Sequence, residues 1–129
     1  MKSGFTLSII LNAPAKEIYN AWLSTEGHTA MTGSAAKVQK KAGGKFTAWD
    51  GYIFGKTLEL QPTCKIVQAW RTTEFPEDAA DSRVEVLLEE NDGKTKLTLK
   101  HTDMPEDQVD SYKQGWEDFY FKPMKDYFG

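Results

Sequence analysis

Cysteine is nearly absent from this 129-residue chain, where Cys64 stands alone. One thiol closes no intramolecular disulfide and builds no structural zinc site of several cysteines. It follows a proline turn, with no histidine or aspartate arranged around it, and reads as inert. Histidine is almost as scarce, with only His28 and His101. No Glu or Cys stands at metal-ligand spacing from either, so neither a metal nor another cofactor is expected. Long apolar runs are missing too: none approaches the ~20 residues of a membrane span. The opening Met-Lys-Ser-Gly-Phe leads into a strand-like segment without a small-residue cleavage site. A cytoplasmic protein is the expectation. Positive charge is outweighed, 16 Lys and Arg against 19 Asp and Glu for a net charge of −3. Without a basic field to attract phosphates, nucleic-acid binding is disfavoured and no nucleic-acid partner is expected.

Aromatic side chains, by contrast, are plentiful: four Trp, five Tyr and seven Phe. A chain of this length buries about two-thirds of its extended surface on folding, enough for one core and not for two. Residues 1–129 therefore read as a single domain. So many rings either fill a thick core or line a cavity.

Along the chain, Phe5–Leu11 alternates and reads as a strand, and Asn12-Ala13-Pro14 ends it and opens a helix with Ile18 and Trp22 on one face. Thr25–Thr32, with Gly27 inside it and Gly33 after it, is an irregular piece or a further helical turn, and His28 falls in it as a loop residue. Six strands follow over Ala35–Lys40, Lys45–Trp49, Tyr52–Leu60, Lys65–Thr73, Arg83–Glu90 and Lys94–Asp103. Turns as short as Asp50-Gly51 and Asn91-Asp92-Gly93 favour antiparallel hairpins over crossovers. Period-two phase puts Val84, Val86 and Leu88 on one face, as it does Leu97, Leu99 and His101, and Ile66, Gln68 and Trp70.

The last element is a long helix over Pro105–Phe128, with a kink expected at Pro123. At about 100° per residue, Val109, Tyr112, Trp116, Phe119, Tyr120 and Tyr127 share one sector. Phe121, Met124 and Phe128 form a second, shorter stripe. That stripe either docks a partner or wraps onto the first strand and first helix.

Gly43-Gly44-Lys45-Phe46 lacks the spacing of a phosphate-binding loop, and Asn91-Asp92-Gly93 lacks the ligands of a calcium loop. Both are turns. The first of these, with Asp50-Gly51, Gly55, Leu60-Gln61-Pro62, Ile66-Val67, Trp70-Arg71, Phe75-Pro76-Glu77, Gly93-Lys94-Thr95 with Leu97, Gly115-Trp116, Phe119-Tyr120 and Lys125-Asp126-Tyr127-Phe128-Gly129, carries a resemblance. In order and spacing they are similar to the C-terminal domain of the activator of the ninety-kilodalton heat-shock chaperone's ATPase. That domain lies within the START and birch-pollen-allergen-like superfamily, SRPBCC. The resemblance implies an α+β helix-grip fold, in which a curved antiparallel sheet wraps a long C-terminal helix, with one or two short helices after the first strand. It also implies a non-enzymatic binding domain. A monomer or weak homodimer is the expectation.

Three functions are then open. An apolar small molecule or lipid-like ligand is held between sheet and helix, with Trp49, Phe54, Trp70, His101, Tyr112, Trp116, Phe119 and Tyr120 as candidate wall residues. The sequence is equally compatible with a filled core, and it does not assign Trp49 and Phe54 together. Alternatively the chain is a cofactor of the ninety-kilodalton chaperone, docking through the convex sheet or through Phe121, Met124 and Phe128. The third is a small enzyme in which His101 works with a neighbouring hydroxyl or acid, against the simpler reading of a cavity-edge histidine bonded to a neighbour.

Overall fold

Turn chemistry sets the topology. Asp50 and Gly51 have φ of 56° and 89°, and Asp92 and Gly93 have φ of 55° and 76°. Successive left-handed residues of this kind make hairpin turns whose twist matches that of the strands. In the computed structural model, which describes residues 4–129, the hairpins build one seven-stranded antiparallel sheet. Its strands are β1 (Phe5–Leu11), β2 (Lys37–Val38), β3 (Lys45–Ala48), β4 (Ile53–Gln61), β5 (Lys65–Thr72), β6 (Ser82–Asn91) and β7 (Lys94–Thr102). They lie in the order β1-β7-β6-β5-β4-β3-β2. The α+β helix-grip expectation holds.

Register carries the period-two reading across the sheet. His101 lies opposite Phe5 and Val84, Leu99 opposite Leu7 and Val86, and Leu97 opposite Ile9 and Leu88. Gln68 and Ile66 extend the rows on β5, and the row Phe46, Gly55, Trp70, Ser82 closes them. These side chains form the concave face, buried on β5, β6 and β7 and half-buried at Phe5, Leu7 and Ile9 of the edge strand. A bulge between Thr57 and Glu59 bends β4 and leaves Leu58 outside.

Strand β2 is shorter than expected. Thr29 Oγ1 accepts from the Ala36 amide at 3.0 Å and Thr25 Oγ1 from the Val38 amide at 2.9 Å. Those donors are thereby spent on helix α2 (Thr25–Thr32) instead of on a further strand. Helix α2 is capped by Ser24 at one end and by left-handed Gly33 at the other. Helix α1 (Ala15–Trp22) has no local side-chain cap, and Glu90 of β6 supplies one by accepting from the Ala15 amide at 2.8 Å.

The C-terminal segment departs from the sequence reading in one respect. It is helical from residue 106 onward, but not uniformly: a 3-10 turn (Glu106–Gln108), α3 (Val109–Trp116), a π turn (Glu117–Phe121) and α4 (Lys122–Phe128). The Lys122 amide donates to the Glu117 carbonyl, five residues back. This wider turn directly precedes Pro123, which has no amide to give and would crowd the Phe119 carbonyl in a regular α-helix. One extra residue in a turn rotates everything after it by about 100°. The buried row Tyr112, Trp116, Tyr120 therefore continues as Phe121 and Met124, and Tyr127, expected inside, is 53% exposed. Met124 is 0% exposed. Of the Phe121, Met124 and Phe128 stripe, the first two are buried in the core and Phe128 is half-buried against it, which is the wrap-around alternative and leaves little of the stripe free for docking.

Candidate functional site

Beneath α3 and the π turn, the concave face is incompletely filled. A cleft of about 320 Å³ lies between the helix and the β3–β4 hairpin. Tyr112, Gly115, Trp116, Phe119 and Tyr120 form its helix side, with Ser111 at the edge, and Trp49, Tyr52, Ile53 and Trp70 its sheet side. Six of the eight wall residues predicted from sequence meet here. None of the lining side chains is charged at neutral pH. The carboxylate of Glu74 stands just outside, accepting the Tyr52 hydroxyl.

The rings brace one another and are pinned at their polar ends. Trp70 meets Tyr112 edge-on at 5.2 Å between centroids, and Trp116 lies 4.5 Å from Tyr120. The Tyr112 hydroxyl donates to Gln108 Oε1 at 2.6 Å and accepts from Thr72 Oγ1 at 2.6 Å. Burial raises the hydroxyl pKa of both Tyr112 and Tyr120, so both stay neutral. At the mouth, Phe119 is 55% exposed and meets Trp49 edge-to-face at 5.3 Å.

Trp49 reaches the cleft by an unusual route. Alternation along β3 turns Phe46 and Ala48 inward and would turn Trp49 outward. A left-handed φ of 51° redirects it. The turn that imposes this is held by the Asp50 amide on the Ala35 carbonyl at 2.9 Å and the Tyr52 amide on the Trp49 carbonyl at 3.2 Å. Phe54 is not among the lining residues: it pairs with Thr47 and Arg71 on the outer face, 37% exposed.

With this geometry in hand, comparison with known proteins decides the family. Residues 12–129 match the family described as Activator of Hsp90 ATPase homolog 1-like protein. The chain belongs to this family. It is 30% identical over 114 residues to human Activator of 90 kDa heat shock protein ATPase homolog 1, a match covering 88% of this chain and 33% of the relative. The chain thus spans about a third of the length of the curated relatives it matches. Among solved structures it resembles an HSP90 activator from Plasmodium falciparum, with TM-score 0.85, 27% identity, and coverage of 95% of this chain and 93% of that one. The Aha1 dimer from Colwellia psychrerythraea shares the fold, with TM-score 0.83, 18% identity and coverage of 98% and 96%.

In this member of the Hsp90-activator-like family, His101 lies behind the cleft wall and not in it, 0% exposed. Hydrogen-bond roles there are determined by elimination. The Trp116 indole can only donate, and gives its proton to His101 Nδ1 at 3.0 Å. His101 Nε2 then carries the proton and donates to Ser82 Oγ at 2.8 Å, and Ser82 donates to the Trp70 carbonyl at 2.7 Å. Desolvation lowers the His101 pKa to about 3. His101 is sealed from solvent, and both of its ring nitrogens and the neighbouring Ser82 hydroxyl are committed to partners within the wall. These bonds tie Trp116 and the Trp70 backbone together behind the cleft.

His28, read as a loop residue, is instead buried on α2. Its Nδ1 donates to the Trp22 carbonyl at 2.8 Å and its Nε2 accepts from the Tyr120 hydroxyl at 2.7 Å. The signal missed was helical: Thr25-Glu-Gly-His28 carries too few apolar residues to show a buried face. Tyr52, Ile53 and Gly115 were also not assigned to the wall, although the first two follow the Asp50-Gly51 turn and the last precedes Trp116. Among the described residues, no three His, Cys, Asp or Glu side chains are grouped to hold a metal ion. No helix there is long and apolar enough to cross a membrane.

Proposed function

We propose that this chain is a binding domain whose ring-lined cleft holds an apolar small molecule. The supporting observation is Gly115. Glycine inside a helix costs about 1 kcal/mol relative to alanine. Here the backbone does not require it, since a Cβ would meet nothing nearer than Phe119 Cδ2 at 3.9 Å. What the missing side chain provides is room in the cleft it lines. The volume, about 320 Å³, suits a ligand of two or three fused rings.

The test separates stability from binding. Gly115→Ala is expected to raise stability by about 0.5–1 kcal/mol in chemical denaturation, because it removes only the glycine penalty. Gly115→Leu fills the cleft and is expected to weaken binding of 2-ethylnaphthalene by at least about tenfold, with the fold intact. Undiminished binding in a folded Gly115→Leu variant would reject the proposal.

A second reading, as a protein cofactor of the ninety-kilodalton chaperone, draws support from the similarity to the Plasmodium falciparum HSP90 activator over 93% of that chain. On this reading the chain raises the ATPase rate of the chaperone from its own organism. A rate unchanged across a titration to tens of micromolar would rule it out.

A further inference from the structure

We infer that the cleft selects neutral ligands carrying a hydrogen-bond acceptor, and that the indole N–H of Trp49 reads that acceptor. The inference rests on the cleft being a ligand site. Among the described residues, Trp49 Nε1 is the one buried side-chain nitrogen or oxygen without a hydrogen-bond partner. Two other indoles of the core are paired. Trp22 Nε1 donates to Gln68 Oε1 at 3.3 Å and Trp116 Nε1 to His101 Nδ1 at 3.0 Å. The hydroxyls of Tyr112, Tyr120 and Tyr52 are each engaged. A buried donor left unpaired is costly and rare in folded proteins. This one belongs to a cleft residue that the hairpin holds in a left-handed conformation, itself unfavourable for a bulky side chain. Two unfavourable features converge on one cleft residue, and a ligand acceptor would relieve the first.

The ring beside the Trp49 indole at the mouth of the cleft is that of Phe119. Its ring abuts the Trp49 indole and is 55% exposed, so it can swing toward solvent without opening a void in the core. Charge narrows the ligand class further. No lining residue is cationic, and the Glu74 carboxylate accepts the hydroxyl of the lining residue Tyr52. An anion would enter a desolvating cleft with no counter-charge and an acid at its edge. A carbonyl or ether oxygen on an apolar ring system satisfies Trp49 without that penalty.

The experiment compares three naphthalenes of similar shape: 2-acetylnaphthalene, 2-isopropylnaphthalene and 2-naphthoate. Their affinities for the wild type and for Trp49→Phe are measured by ligand-observed NMR or calorimetry. The ketone-to-hydrocarbon affinity ratio is expected to fall at least about tenfold in Trp49→Phe, the worth of one buried hydrogen bond. Comparing ratios cancels the greater hydrophobicity of the hydrocarbon. A readout independent of mutation is the Trp49 Nε1–H resonance, which should move downfield with the ketone and not with the hydrocarbon. An unchanged ratio with a stationary resonance overturns this inference and leaves the cleft as an apolar site. Failure of both neutral probes to bind overturns the cleft reading itself. Naphthoate binding as tightly as the ketone overturns the selection for neutral ligands.

Discussion

Between pH 7.5 and pH 5 the protein is expected to lose on the order of 4 kcal/mol of folding stability. Burial lowers the His28 pKa from 6.5 to about 4 and the His101 pKa from 6.5 to about 3. In the unfolded chain both rings take up protons as pH falls through 6.5, and in the native state neither does so until far lower. Stability is therefore complete above pH 6.5 and declines below it by about 1.4 kcal/mol per pH unit for each histidine. Two histidines over one and a half pH units give the stated figure, a large part of the 5–15 kcal/mol typical of a domain. The groups around them offer no rescue. His101 faces Ser82, Trp116, Trp70, Tyr112 and Phe5, and His28 faces Tyr120, Trp22 and the Trp22 carbonyl, none of them charged. Urea denaturation at pH 7.5, 6 and 5 measures the slope, and His101→Gln should halve it. A flat profile across this window would show that the imidazoles are not buried as described.

Gly55→Ala should be among the most damaging small substitutions in the chain. A Cβ at Gly55 would sit 1.9 Å from the Ala69 carbonyl oxygen of β5 and 3.0 Å from Phe46 Cε1. No side-chain rotation relieves a clash with backbone, so β4 and β5 must separate beside Trp70, the cleft's sheet wall. A cost of about 3 kcal/mol is expected, the upper end of overpacking penalties. The same substitution at Gly115 meets only an ordinary contact with Phe119 and should stabilise. Denaturation of the two variants side by side checks the pair of signs. A loss below about 1 kcal/mol for Gly55→Ala would mean that the strands have slack the register does not suggest.

Much of the fold was legible because alternation is a strict rule within a strand. Val84, Val86, Leu97, Leu99 and His101 all face the helix as their phase requires. The helix was legible as far as Trp116 and Tyr120. Beyond that point the 3.6-residue period assigns Tyr127 to the inside, and one π turn rotates Met124 there instead. Pro123 was the available signal, read as a kink where the chain widens a turn. The cleft shows a similar division. Trp70, Tyr112 and Trp116 follow from periodicity, whereas Trp49 enters against it through a left-handed φ. Phe54, obeying the same alternation, points away. Nothing in a period-two pattern distinguishes those two residues, since the difference is made by the turn between them. His28 was missed for another reason: its burial comes from contact with Tyr120, which is 92 residues away in sequence.

The most direct measurement is a two-dimensional nitrogen–proton NMR titration of the wild type and Gly115→Leu with 2-ethylnaphthalene. The expected result is saturable movement of the Trp49, Trp70 and Trp116 indole signals, with Trp22, outside the cleft lining, far less affected, and loss of that movement in Gly115→Leu. Signals that stay in place, or that move equally in the two proteins, would contradict a ligand-holding cleft beneath the C-terminal helix.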